Sequence, residues 1–169
     1  MTTEEKPTEL TKVISNLKEK YEKLSNSPFQ NFKDYINKRR TGIGKRKEYP
    51  KTEDLISAGV YCIYENQDII YVGSAGSSHT LRHRIGDLFV YNENSKKNKF
   101  HHTLTYKLIY DKDLKRFDNI NEVREFYFEK CRFKYIKTKR DAEAHALEYL
   151  LIMLFKPPFN NETKNQNKQ

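Results

Sequence analysis

The sequence predicts an α/β (α+β) domain: a small, mostly antiparallel three-stranded sheet flanked by helices, with an N-terminal helical extension. Two observations support this prediction. Runs rich in Val, Ile and Tyr at 58–65 and 68–72, separated by Asn66 and Gln67, are typical of a β-hairpin. Apolar residues at helical spacing occur on both sides of the hairpin, most clearly from Asp141 to about Phe155.

The N-terminal residues are predicted to be helical. Apolar side chains recur three or four residues apart from Thr8 to about Leu24, which indicates an amphipathic helix packed against the main domain. A second short helix is expected from Phe29 to about Asn37. Residues 38–47 then contain six cations and two glycines but no acid. We interpret them as a flexible basic loop that either contacts nucleic acid or is a solvated linker.

The elements after the hairpin follow from local signals. Residues 73–78 read as a flexible loop, and Thr80 is placed to cap a helix running to about Tyr91. The stretch His102–Tyr110 fits either a helix or a strand, and residues 121–130 fit a helix. Residues 131–137 alternate aromatic and cationic side chains, which predicts the third strand. Two prolines end the helix that begins at Asp141.

Composition limits the function classes. The chain has 169 residues and a formal net charge of +9, from 32 Lys and Arg against 23 Asp and Glu. A net positive charge of this size favours binding to a polyanionic partner such as nucleic acid. A protein from a lysine-rich proteome would carry a similar excess of positive charge without such a partner. The two cysteines form no CxxC pair, and no apolar run is long enough for a membrane span or a signal peptide. We expect a cytoplasmic protein of a bacterium or phage, with no membrane partner.

Four short groups of residues carry the chemistry, and their order matters. They are Gly59-Val60-Tyr61, Tyr71-Val72-Gly73, Leu81-Arg82-His83-Arg84-Ile85, and Glu148 followed by Pro158 and Asn160. Phosphodiester hydrolysis needs positive charge on the phosphoryl oxygens and an acceptor for the proton of the attacking water. An arginine, a metal bound by a carboxylate and a phenol or imidazole supply these functions. Glu148 is notable because its helix is apolar on most faces, where a carboxylate is costly.

In this order and spacing, the residues from Ala58 to Asn161 resemble the GIY-YIG nuclease family, most of all its compact stand-alone restriction endonucleases. The resemblance implies that Tyr61 and Tyr71 converge from adjacent strands. One phenol would serve as general base or orient the attacking water, and Tyr61 is favoured for that role. Arg84 would hold the scissile phosphate, with Arg82 as the alternative.

The resemblance also assigns the C-terminal residues. Glu148 would bind one Mg²⁺ or Mn²⁺ ion per active site, and Asn160 would support the site through hydrogen bonds. One departure is that many members have His or Tyr four residues after the arginine, where this chain has Leu88. A histidine or tyrosine from elsewhere would have to replace it, and the choice stays open. The candidates are His83, Tyr91, His101 and His102.

The resemblance divides the chain into three parts. Residues 1–57 form a helical arm and basic loop, and 58–161 form the nuclease domain, with an insertion around 92–130. Residues 162–169 form a disordered tail. Without a separate DNA-binding module, specificity must come from the arm, the basic loop and the insertion. The expected DNA contacts are Arg39, Arg40, Lys45, Arg46, Lys47, Arg82, His83 and His102, with Lys107, Arg116 and Arg124 as further candidates in the insertion.

The function that the sequence favours is metal-dependent hydrolysis of DNA phosphodiester bonds by a sequence-specific type II restriction endonuclease. The partner is double-stranded DNA, and cleavage of both strands at a symmetric site would suit a homodimer. Two alternatives stay open. One is a structure-selective or single-strand nuclease in DNA repair or phage defence, and the other is a catalytically inactive DNA-binding module.

Overall fold

The computed structural model describes residues 8–34, 55–90 and 102–160. These residues form an antiparallel sheet flanked by helices, which confirms the predicted fold class. The helices are α1 (Glu9–Asn26), α2 (Leu81–Asp87), α3 (Thr103–Tyr110), α4 (Ile120–Glu129) and α5 (Asp141–Phe155). The strands are β1 (Gln30–Asn31), β2 (Gly59–Glu65), β3 (Asp68–Ala75) and β4 (Cys131–Lys137).

The sheet has four strands in the order β1-β4-β2-β3, one more than the sequence predicts. The additional strand occupies the start of the helix expected from Phe29 to about Asn37, because Gln30 and Asn31 pair with Phe133 and Arg132 of β4. Residues 32–34 are helical as expected, and residues 35–37 lie outside the described ranges. At the other edge, β3 continues through residues 73–75, which were expected to be a loop. Those residues lie opposite Gly59, Val60 and Tyr61, so long-range pairing overrides the loop preference of Gly and Ser.

Helices cover both faces of the sheet. On β2, Val60 and Cys62 point to one face, where α1 and α5 pack, and Tyr61 and Ile63 point to the other, where α2, α3 and α4 pack. Since both faces are covered, every side chain from Val60 to Ile63 is buried. The uninterrupted apolar run of β2 has this physical origin.

Each face of the sheet holds one free cysteine. Cys62 on β2 lies in the layer under α1 and α5, and Cys131 on β4 lies in the layer under α2, α3 and α4. Burial raises the pKa of both thiols to about 12. Neither thiol is therefore poised to react in the folded protein.

Residues outside the predicted nuclease core contribute to the same hydrophobic core. Phe32, which follows β1, is 1% exposed, and its ring lies 4.7 Å from that of Phe133 between centroids. Leu104 and Leu108 of α3 and Tyr127 of α4 are fully buried, so the described part of the segment interpreted as an insertion, from residue 102 onward, fills the centre of one layer. Within the described ranges, no helix is long and apolar enough to cross a membrane.

Replacement of Phe32 by Ala should lower the free energy of unfolding by about 3–5 kcal/mol, because a large buried ring leaves a cavity between Phe133 and Tyr127. The measurement is urea denaturation followed by circular dichroism. Leu10→Ala on α1 is the matched control, since Leu10 is 68% exposed and should change stability by less than about 0.5 kcal/mol. Equal effects of the two substitutions would contradict the placement of Phe32 in the core.

Candidate active site

The two motif tyrosines lie on adjacent antiparallel strands, on the sheet face covered by α2, α3 and α4. Tyr61 of β2 is opposite Gly73, and Tyr71 of β3 is opposite Ile63. Their ring centroids are 6.2 Å apart. The Tyr61 ring lies directly over Gly73, because a Cβ at that position would be 2.4 Å from the Tyr61 hydroxyl oxygen. Position 73 must therefore be glycine for the Tyr61 ring to pack where it does.

The two phenols differ in their access to solvent. Tyr61 is 1% exposed, whereas Tyr71 is partly exposed at the edge of the core. Burial raises the pKa of Tyr61 well above the ordinary phenol value, and burial together with Glu148 raises the pKa of Tyr71 to about 12. Both groups are protonated near neutral pH, so neither is a free base in the resting protein.

His102 lies behind the tyrosines rather than on the surface. Its Nε2 is 2.6 Å from the hydroxyl of Tyr61, and its ring centroid is 5.3 Å from that of Tyr71. Burial and the nearby Arg84 lower its pKa to about 3, so the imidazole is neutral. His102 is only 3% exposed, so its burial argues against the direct DNA contact that was expected from the sequence. Of the two candidates for the missing helper that the structure describes, His83 and His102, it is His102 that contacts Tyr61.

Of the two arginines of α2, Arg84 acts on these groups. Arg84 is exposed, and its charge lowers the pKa of Tyr61, Tyr71 and His102. Arg82 is half-buried on the same helix. His83 is exposed, and its Nδ1 accepts a hydrogen bond from the N–H of Thr80 at 3.3 Å, which caps the first turn of α2.

Glu148 reaches the site from α5, on the far side of the β3 edge. Its Oε1 accepts a hydrogen bond from the backbone N–H of Ser74 at 3.1 Å, and its Oε2 accepts one from the Ser74 hydroxyl. The Nδ1 of His145 is 3.0 Å from that hydroxyl and 3.6 Å from Oε2. The carboxylate is a quarter exposed and raises the pKa of both motif tyrosines. Three segments distant in sequence thus converge on one small region.

Asn160 lies beyond the end of α5 and binds the backbone of β3. Its Oδ1 accepts a hydrogen bond from the N–H of Val72 at 2.6 Å, and its Nδ2 donates to the carbonyl of the same residue at 2.7 Å. The N–H of Phe159 donates to the carbonyl of Ile70 at 3.2 Å. Asn160 therefore holds the strand that carries Tyr71, and both polar atoms of its amide are used in doing so.

The donor set around Glu148 fits a hard divalent cation. Each carboxylate oxygen accepts one hydrogen bond and keeps another lone pair. Among the described residues, no group of three or more His, Cys, Asp or Glu side chains is placed to hold a metal. An ion at Glu148 would have to complete its shell with water and substrate oxygens, which is the usual arrangement for Mg²⁺.

Two residues of the site were missed from the sequence. Ser74 holds both oxygens of Glu148, but it falls in a stretch that composition alone predicts to be a loop. His145 lies three residues before Glu148, and this spacing on a helix places both side chains on one face. The helical spacing was a usable signal for His145, whereas Ser74 required the register of β3.

The remaining candidates for DNA contact divide into two groups. Arg39, Arg40, Lys45, Arg46 and Lys47 lie outside the described residues, as do Tyr91 and His101. The three candidate cations of the predicted insertion that the structure describes make contacts within the protein. Lys107 donates to the carbonyl of Phe159, Arg116 pairs with Glu65 at 2.7 Å, and Arg124 donates to the carbonyl of Phe89.

No family model and no curated protein matches this sequence. Among solved structures, a similar one is the GIY-YIG N-terminal endonuclease domain of UvrC from Thermotoga maritima, bound to its catalytic divalent cation, magnesium. It has 20% sequence identity and a TM-score of 0.38, and the match covers 63% of this chain and 86% of that chain. Two point mutants of the same domain from Thermotoga maritima match at 19% and 18% identity, each with a TM-score of 0.39 and with 64% and 87% coverage of the two chains. A likeness at this level shows neither a shared family nor a shared activity.

Replacement of Gly73 by Ala should destabilise the fold by about 1–3 kcal/mol, because the added Cβ meets the Tyr61 ring at 2.4–2.9 Å. The measurement is denaturant unfolding of the single variant and of the same change in a Tyr61→Leu background. Leu removes the hydroxyl and the outer ring carbons that the Cβ would meet, so the cost should fall in the double variant. An equal cost in both backgrounds would show that the ring does not require the glycine.

Proposed function

We propose that this chain is a metal-dependent endonuclease of the GIY-YIG type that hydrolyses DNA phosphodiester bonds, and that it is a sequence-specific type II restriction endonuclease. The observation that supports the hydrolytic site is convergence. Arg84 and Glu148 lie 64 residues apart in sequence, and both shift the pKa of Tyr61 and of Tyr71. A phenol pair, an arginine and a carboxylate in one region can supply the proton transfer and charge stabilisation that phosphodiester hydrolysis requires.

In this proposal each side chain has one task. The exposed guanidinium of Arg84 binds the scissile phosphate and stabilises the charge that develops on its oxygens. One of the two tyrosine phenols orients the attacking water and does not act as a free base, since both are protonated at rest. Asn160 fixes β3 and with it the position of Tyr71. Arg84 is favoured over Arg82 because its charge acts on both phenols.

The carboxylate of Glu148 would hold one Mg²⁺ or Mn²⁺ ion, with Ser74 keeping its two oxygens in a fixed orientation. Such an ion supplies Lewis acidity toward the phosphoryl oxygens and lowers the pKa of a bound water. The Ser74 hydroxyl has one proton, which it donates to Glu148, so His145 must donate its Nδ1 proton to the Ser74 oxygen. His145, Ser74 and Glu148 thus form a short chain that orders the carboxylate before an ion binds.

Double-stranded DNA as substrate is supported by the charge of the chain. A net charge of +9 favours association with a phosphate backbone through counterion release. The described site offers one carboxylate and one arginine per chain, which suits cleavage of one strand. Cleavage of both strands at a symmetric sequence would therefore be carried out by a homodimer.

The decisive experiment is digestion of a long defined duplex by the purified chain with Mg²⁺ or EDTA, followed by sequencing of the fragment ends. Discrete fragments that share one short sequence, formed with Mg²⁺ and absent with EDTA, would support the proposal. A smear, or cleavage of branched or single-stranded DNA alone, would replace the restriction role with a structure-selective one. Tight DNA binding without any product would refute the enzymatic proposal.

Glu148→Gln should lower the cleavage rate at least about 100-fold, while DNA binding persists. The amide keeps the shape of the side chain but loses the negative charge that a divalent cation needs. Cleavage rate and binding are measured on the same duplex, the latter by gel shift in EDTA. If the Glu148→Gln variant cleaved DNA at the rate of the unmodified chain, Glu148 would not be the metal ligand.

Arg84→Lys should lower the single-turnover cleavage rate about 10- to 100-fold, because an ammonium cannot reproduce the two-pronged contact of a guanidinium with phosphate. Arg82→Lys on the same helix is the matched control. At saturating protein it should change the rate by less than about threefold, since any loss there is one of DNA affinity. The reverse ranking would transfer the catalytic role to Arg82.

A further inference from the structure

The protonation of His102 is fixed by the backbone that it caps. His102 precedes α3, and its Nδ1 accepts a hydrogen bond from the N–H of Leu104 at 3.1 Å. An atom that accepts from an N–H must present a lone pair, so Nδ1 carries no proton. The imidazole is neutral because its pKa is lowered to about 3. Its one proton therefore lies on Nε2.

This proton sets the direction of the next hydrogen bond. The Nε2 of His102 is 2.6 Å from the Tyr61 oxygen, so His102 donates and Tyr61 accepts. His102 is thereby unable to take the Tyr61 proton, because neither of its nitrogens is free to accept it. It is a donor toward the site and not a general base.

The Tyr61 hydroxyl accepts this bond and keeps its own proton to donate. On the adjacent strand, the centroid of the Tyr71 ring lies 6.2 Å from that of Tyr61 and 5.3 Å from that of His102. The chain of donation therefore runs from Leu104 through His102 to Tyr61, with Tyr71 as the neighbouring phenol.

The exposures of the two phenols show which of them meets solvent. Tyr61 is 1% exposed and covered by Gly73 and His102, whereas Tyr71 is partly open to solvent. We propose that Tyr71 is the tyrosine that contacts the attacking water or the phosphate, and that Tyr61 and His102 are positioning residues behind it. This inference rests on the proposed nuclease function, and it reverses the preference for Tyr61 drawn from the sequence.

The first test needs no substrate. The ¹⁵N signals of His102 in the full metal-free chain should show an unprotonated Nδ1 and a protonated Nε2, unchanged from about pH 5 to about pH 8. A proton on Nδ1, or titration within that range, would overturn the chain of donation. Nitration by tetranitromethane, located by mass spectrometry, should modify Tyr71 and spare Tyr61. Preferential modification of Tyr61 would overturn the assignment of the exposed phenol.

The second test is single-turnover cleavage of duplex DNA by the full chain. Tyr71→Phe should lower the rate by about 100-fold or more, the usual effect of losing a group that acts on the reacting water. Tyr61→Phe should lower it about 10-fold, since it removes one donated hydrogen bond behind Tyr71. A larger loss for Tyr61→Phe than for Tyr71→Phe would refute the proposal.

Two variants of His102 separate its structural role from its positioning role. His102→Asn keeps an acceptor that caps the Leu104 N–H but is too short to reach Tyr61, whereas His102→Gln has an N–H donor with greater reach. We expect His102→Asn to slow cleavage like Tyr61→Phe, and to add less than about twofold when combined with it. His102→Gln should recover part of the loss. Full additivity of His102→Asn and Tyr61→Phe would show that His102 does not act through Tyr61.

Should the unmodified chain cleave no DNA at all, the proposed function fails, and the spectrum and the nitration pattern still decide the direction of the chain and the exposed phenol. Should the chain cleave DNA while Nδ1 is protonated, the proposed function stands and this inference fails. The two failures are therefore distinguishable.

Discussion

The outer edge of β3 requires hydrogen-bond partners, and the way it obtains them determines the geometry of the whole site. The carbonyl of Ile70, both polar backbone groups of Val72 and the N–H of Ser74 would otherwise be unpaired at a sheet edge, where such groups are costly and attract other chains. The backbone of Phe159, the amide of Asn160 and the carboxylate of Glu148 satisfy them in turn. The same bonds that close the sheet hold Glu148 beside the strand that carries Tyr71.

Close packing enforces this arrangement from within the sheet. A Cβ on Gly59 would be 2.3 Å from the carbonyl oxygen of Ile136. A Cβ on Gly73 would be only 2.4–2.9 Å from atoms of the Tyr61 side chain. The atoms that these Cβ groups would contact belong to the backbone or to a buried ring, and such atoms cannot easily move aside. Both glycines of the motifs thus serve the spacing of strands and rings, and the polar chemistry depends on them indirectly.

The sequence predicted the parts of the fold that rest on local signals. The period of β4 and α5 and the two-residue turn of the hairpin located these elements closely, because their side-chain pattern alone determines which face is buried. Two-residue β1 has no pattern of its own and exists only through pairing with β4. The extension of β3 through Ser74 also depends on pairing with another strand, so the contact between Ser74 and Glu148 could not be predicted from the sequence.

The sequence offered several histidines as candidates for the missing helper and gave no reason to choose His102, which the structure places against Tyr61. The motif residues were found in advance, whereas the contacts that orient them were not, since those contacts join segments 41 to 88 residues apart.

The two buried cysteines have a consequence for how this molecule opens. A thiol reagent attacks the thiolate, and both thiols are shielded and hard to ionise in the folded protein. Labelling therefore proceeds at the rate at which each layer exposes its own sulfur. Cys62 reports separation of α1 and α5 from the sheet, and Cys131 reports separation of the layer formed by α2, α3 and α4. The protein carries a native probe on each side of its sheet, and the ratio of the two labelling rates tells whether the layers part together or one before the other.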